Sequence, residues 1–146
     1  MKGKIMKNNK NGFTLIELIM VMIILGVLSA VAIPRYLETI SNAEEAAEDA
    51  VISAIRSGLT QYANNSLYES GRAEWPTNPF DALAEKPVGY STDDSDADVD
   101  GEWTFSGGRI THQRADNSRY EWSYDPGTQG GGDDAAIGTL GQRTAL

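Results

Sequence analysis

"NGFTLIELIMVMIILGVLSAVAIPRY", from Asn11 to Tyr36, decides how the rest of the chain is read. From Phe13 to Pro34 it runs for 22 residues with a single charge, Glu17. At ~1.5 Å per residue a helix of that length covers roughly 33 Å, enough for a ~30 Å hydrocarbon core. Lys2, Lys4, Lys7 and Lys10 precede the run, with no acidic residue among them. That asymmetry predicts a cytoplasmic N-terminus and the remaining chain outside the membrane. Glu17 is the anomaly, because a carboxylate at the centre of a bilayer costs about 3 kcal/mol on insertion scales.

Two plain readings compete. A secretory signal, cut away after the apolar run, would show a shorter apolar region and an A-x-A-like pattern, to which Ser29–Ala32 is a loose match. A simple membrane anchor would need no particular charge. Neither accounts for Gly12 at the polar/apolar boundary, nor for Glu17 within the first turns.

"GFTLIEL", Gly12 to Leu18, resembles the type III signal of type IV prepilins and pseudopilins. The likeness includes the Lys-rich leader, Gly at the junction, Phe as the new first residue, Glu five residues into the processed chain, and Pro34 near the end of the run. It is close over the first 36 residues or so and holds in outline along the helix beyond. It implies that a membrane-embedded aspartyl prepilin peptidase cuts between Gly12 and Phe13 and discards the leader. The same enzyme class would N-methylate the Phe13 amine. Glycine suits such a junction because no side chain obstructs the protease. The protein is then a substrate and a structural subunit, not an enzyme. Glu17 becomes an assembly residue that meets the Phe13 amine of a neighbouring subunit, since either charge buried alone would be costly. The implied partners are further copies in a helical homopolymer, the prepilin peptidase/methyltransferase, and the inner-membrane assembly machinery. The precursor would lie in the inner membrane, and the product in a cell-surface pilus or periplasmic pseudopilus.

The helical pattern continues past Pro34. Tyr36, Leu37, Ile40, Ala43, Ala47, Ala50, Val51, Ala54, Ile55, Leu59, Tyr62 and Ala63 recur at three- and four-residue steps, one apolar stripe at helical period. Glu38, Glu44, Glu45, Glu48 and Asp49 fall mostly on other faces. The spacing predicts a helix from Phe13 to Ser66, apolar all round at first and amphipathic afterwards. Gly26 and Pro34 weaken it locally.

Pro76, Pro79 and Pro87 mark a connecting loop. Three strands are expected at Glu102–Ser106, Arg109–Arg114 and Arg119–Tyr124, with turns at Ser106–Gly108 and Ala115–Ser118. Trp103, Phe105, Ile110, His112, Tyr120, Trp122 and Tyr124 alternate with polar residues. Such stripes serve as core and cross-strand pairs more often than as a sugar-binding surface or an electron path. The sole histidine, His112, is read as structural or exposed. The expected fold class is α+β, a long N-terminal helix packed on a small antiparallel meander, which is also the pilin fold. The expected divisions are a leader at 1–12, a transmembrane or filament-core helix at 13–34, an amphipathic helix at 35–68, and a β domain at 69–146.

Composition narrows the function. The net charge of −9 conceals 8 Lys+Arg against 21 Asp+Glu after Gly12. So acidic a surface does not grip nucleic acid. The absence of cysteine excludes disulfides, thiolate metal sites and cysteine catalysis. Asp96, Asp98, Asp100 and Gly101 match D-x-D-x-D-G, the opening of an EF-hand-like calcium loop, but Gly107 occupies the twelfth place where Glu is needed. An acidic solvated loop and a structural Ca²⁺ clip both remain open. The resemblance adds that some family members use calcium in this way.

The Gly/Asp-rich segment after Tyr124 offers Ile137, Leu140 and Leu146 for wrapping a sheet edge, or forms an exposed tail. Asn64-Asn65-Ser66 has glycosylation-like spacing at chance level. The resemblance therefore implies a type IV pilus subunit. The alternative is a pseudopilin of a type II secretion system. Pro76–Pro87 is similar to the loop of major pseudopilins and of mannose-sensitive-haemagglutinin-type pilins, but the Asp-Pro-Trp-Gly-like segment usual near the former's calcium site is missing, Asp125-Pro126-Gly127 matching it only in part. A third class, a membrane-anchored binding module that never polymerises, would have no need of Glu17.

Overall fold

A computed structural model describes residues 12–127 and 138–146. Residues 1–11 of the expected leader and Ile137 lie outside them. One long helix, α1, spans Leu15–Ser70. It ends four residues beyond the expected Ser66, where Gly71 adopts φ 77° and its N–H donates to Leu67 O at 2.9 Å. A left-handed residue at this position closes the last turn, and glycine takes it without steric cost.

The chain divides into two compact units at Ala43/Glu44. In the first, α1 is apolar all round, and every residue from Leu15 to Ile33 is exposed. The second is a helix-on-sheet layer.

Strands β1 (Trp103–Ser106), β2 (Arg109–Gln113) and β3 (Arg119–Asp125) form the expected meander. Two short C-terminal strands, β4 (Thr139–Leu140) and β5 (Thr144–Ala145), pair antiparallel with the outer edge of β3. Gly107 and Gly108 join β1 to β2 with φ 58° and 78°, the two positive values of a hairpin turn whose twist matches its strands. Trp103 lies opposite His112, Phe105 opposite Ile110, Ile110 opposite Trp122, and His112 opposite Tyr120. The predicted aromatic and apolar stripe therefore shares one face.

That face packs on α1 through Ile52, Ile55 and Leu59, with Phe80 of the 3-10 turn Pro79–Ala82 completing the core. Trp103 and Trp122 stack at 5.7 Å between ring centroids. The helix differs here from its expected register. Its buried seam is Glu48, Ile52, Ile55, Leu59 and Ala63. Ala43, Ala47, Ala50, Ala54 and Tyr62 of the predicted stripe stay exposed. Branched side chains bury more apolar area than alanine, and the sheet supplies cations and a histidine for a glutamate at the head of the seam.

The acidic loop does not simply hang in solvent. Ala97 is buried, and its N–H donates to Thr111 Oγ1 at 2.8 Å, while the Thr104 and Thr111 hydroxyls bond at 2.7 Å. The loop thus covers the far side of β1 and β2. Residues 138–146 wrap the sheet edge. Gly138 lies against the Trp75 ring and Gly141 against Ser123, so a Cβ at either position would overlap its neighbour, at 2.2 and 2.3 Å.

The core rests on few large side chains, so Ile55→Ala should lower unfolding free energy by about 2–5 kcal/mol, read from denaturation of the detergent-solubilised full chain. A loss below about 0.5 kcal/mol would contradict this packing.

Candidate functional site

Gly12, Phe13 and Glu17 lie together at the start of α1. Phe13 is exposed, and a Cβ added at Gly12 would meet nothing within 4 Å. Packing among the described residues therefore does not require glycine there. Glu17 is engaged by Thr14. The Thr14 N–H and hydroxyl donate to Glu17 Oε2 at 2.9 and 2.8 Å, and the Glu17 N–H donates to Thr14 Oγ1 at 3.3 Å. This is a reciprocal capping box that satisfies donors at the helix N-terminus. Its T-x-x-E signature stands in the sequence at Thr14–Glu17. The charge read as an assembly residue thus has a partner within its own chain as well.

A second constellation, with no signature in the sequence, centres on Glu48. Glu48 is fully buried. Arg114 grips it in a fork, Nε to Oε1 at 2.7 Å and Nη2 to Oε2 at 2.6 Å. The bidentate arrangement is the strong form of this pair. His112 Nδ1 lies 2.9 Å from Oε1. An ionised carboxylate only accepts, so Nδ1 carries the hydrogen and donates it. Arg143, between β4 and β5, donates to Oε2 at 3.2 Å and also pairs with Glu45. Tyr120 lies beneath both guanidiniums, its ring centroid 4.1 Å from Arg114 and 5.5 Å from Arg143. Trp103 stacks on His112 at 4.2 Å. Nearby, the Ala115 N–H donates to Glu44 Oε1 at 3.0 Å.

Burial alone would raise the Glu48 pKa. The hydrogen bonds from Arg114 and His112 outweigh it and hold the carboxyl down at about 2. One carboxylate thereby ties helix, sheet and C-terminal strands together. Glu48, expected with its acidic neighbours on faces away from the apolar stripe, stands instead on the buried seam, and of the two readings of His112, structural or exposed, the buried one holds.

The three candidate calcium ligands do not converge. Asp96 pairs with Arg109 at 3.2 Å, and Asp100 accepts from Gln113 Nε2 at 3.3 Å. The Asp98 N–H donates to Glu102 Oε2 at 3.0 Å, a backbone bond that holds the Glu102 carboxyl below its ordinary range. Among the described residues no group of three or more acidic or histidine side chains is set to hold a metal. As arranged, the loop does not fit a cation: Arg109 supplies the positive charge.

Comparison with known proteins bears on the N-terminal site. The family described as prokaryotic N-terminal methylation motif matches over residues 7–33. The type IV narrow pilus major component PilA5 of Thermus thermophilus is 37% identical over 100 residues, 68% of this chain and 74% of its own. Type II secretion system core protein G of Pseudomonas aeruginosa is 32% identical, covering 57% and 56% of the two chains. The type IV major pilin protein PilE1 of Neisseria gonorrhoeae is 33% identical, covering 56% and 46%. No solved structure matches the chain.

The buried cluster makes a pH prediction. Because Glu48 is held below its ordinary 4.5, its contribution is fully present above that value and is lost as pH falls through about 2. Glu48→Gln leaves Arg114 buried without its carboxylate and should cost about 3–5 kcal/mol. Acid titration of thermal stability should show a shallower decline in the variant over this window. Parallel wild-type and variant profiles would contradict the assignment.

Proposed function

The chain belongs to the type IV pilin and pseudopilin family, and from that premise we propose that it is a structural subunit of a type IV pilus. One observation carries the proposal. The most apolar 18-residue window of α1 has mean hydropathy 2.7, and none of it is buried among the described residues. An all-round apolar helix needs lipid or other helices around it, and a filament precursor meets both in turn. The precursor spans the inner membrane with its lysines on the cytoplasmic side. Prepilin peptidase removes residues 1–12 and methylates Phe13. The helix at 13–34 enters the filament core, 35–68 continues it, and 69–146 is displayed outside.

Glu17 then has two successive partners. Before assembly its carboxylate is held by Thr14. On assembly it meets the Phe13 amine of a neighbour, an ion pair in low dielectric that sets axial register. Similarity to core protein G supports a second reading, the same polymerisation within a type II secretion pseudopilus.

The two roles of Glu17 are separable. Glutamine serves the capping box as well as glutamate does but carries no charge. Glu17→Gln should insert and be cut at Phe13, while surface filaments fall by at least about tenfold, the loss of about 1.4 kcal/mol per contact. Filaments at the wild-type level, counted by electron microscopy of sheared preparations, would contradict the charge-pairing role.

A further inference from the structure

The stripe that the core leaves uncovered forms one wall of a groove. Ala50, Val51 and Ala54 of α1 face Leu83 and Pro87, with Glu85 at the rim, around a depression of about 280 Å³. A second hollow of about 310 Å³ shares Val51 and Pro87 and extends it to Ala47 and Val88. Val88 is 96% exposed. Lys86 pairs with Asp81, whereas Glu85 has no ion-pair partner among the described residues.

The groove is walled largely by alanine and aliphatic side chains. Glu85, free of ion pairs among the described residues, stands at one end. At the other are Glu44, which accepts the Ala115 N–H, and the His112–Glu48 pair. The groove suits an apolar helix whose cation lies at the Glu85 end. The chain carries such a face. Ile24, Leu28, Val31 and Arg35 follow one another at four-, three- and four-residue steps, the spacing of a single helix row. The three apolar residues are exposed, and Arg35 makes no ion pair among the described residues.

Resting on the filament reading, we infer that this groove receives the Ile24–Leu28–Val31–Arg35 row of a second copy, with Arg35 paired to Glu85. Alanines at the contact allow close helix approach. The charge pair fixes which turn of the incoming helix lies in the groove. Groove and row are different surfaces, so the contact is heterologous. Such a contact propagates as an open helical polymer unless rotation closes it.

Charge exchange in the intact, native-host protein tests this. Arg35→Glu and Glu85→Arg should each reduce filament yield by at least about tenfold, because like charges at an interface cost several kcal/mol. The double exchange should restore yield to within about threefold. The chain has no cysteine, so paired cysteines report directly. With Arg35 at Glu85, Val31 falls about one turn away, beside Ala47. Filaments carrying Val31→Cys and Ala47→Cys should therefore yield disulfide-linked multimers that neither single variant gives. Wild-type filaments together with swap-insensitive yield, or with no crosslink in assembled double-cysteine filaments, would overturn the groove assignment alone. Absence of filaments from the wild-type protein would overturn the subunit reading and this inference with it.

Discussion

Nothing among the described residues covers the apolar half of α1. From Leu15 to Ile33 each side chain is exposed, and burial is worth ~25 cal/mol per Å² of apolar surface. The second unit cannot offset this, because its sheet is small and its core is spent on Ile52, Ile55 and Leu59. The helix must find cover in lipid or in other copies. This requirement explains why one element changes character along its length. One part is apolar on every side, while the other has a buried seam and charged flanks. It also explains why an acidic, water-facing unit shares a chain with a membrane-grade segment.

The second unit solves a different problem, closure without cysteine. Its C-terminal strands are only two residues each, too short to hold an edge by backbone pairing alone. Arg143 adds a grip on Glu45 and Glu48, Arg56 Nη2 donates to Gly141 O at 3.1 Å, and Gly138 accepts the Trp75 ring. Removing a carboxylate as deeply buried as Glu48 from water is expensive. Two arginines and a histidine converge on it, which offsets that cost and makes the arrangement specific. The cluster belongs to the fold. The residues proposed to act in processing and assembly, Gly12, Phe13 and Glu17, stand instead at the start of α1.

What could be read beforehand divides along physical lines. The strands were legible because alternation of Trp103, Phe105, Ile110, Trp122 and Tyr124 has period two, and because Gly107-Gly108 between them can take the positive φ angles that a tight hairpin needs. The apolar run was legible from length and charge. Thr14–Glu17 spells out a capping box as well as placing a charge in an apolar run, and the two roles share one carboxylate. Glu48 gave no such signal. It stands among Glu44, Glu45 and Asp49, and its partners lie 64, 66 and 95 residues away. Only the folded chain brings them together. The buried seam is rotated from the predicted stripe for the same reason: Glu48 and Ile52 lie on it, while Ala47, Ala50 and Ala54 do not. The acidic loop followed the same logic. Its carboxylates suggested a bound cation, and Asp96 does meet one, but it is Arg109, 13 residues along the chain.

The central claim is that the apolar helix is kept after processing and becomes the filament interior, beginning at Phe13. Intact-mass spectrometry of subunits from purified filaments tests it most directly. The account predicts a chain that starts at Phe13 and carries one added methyl on its amine. Filament subunits that retain Met1, or that begin after the apolar run, would contradict it.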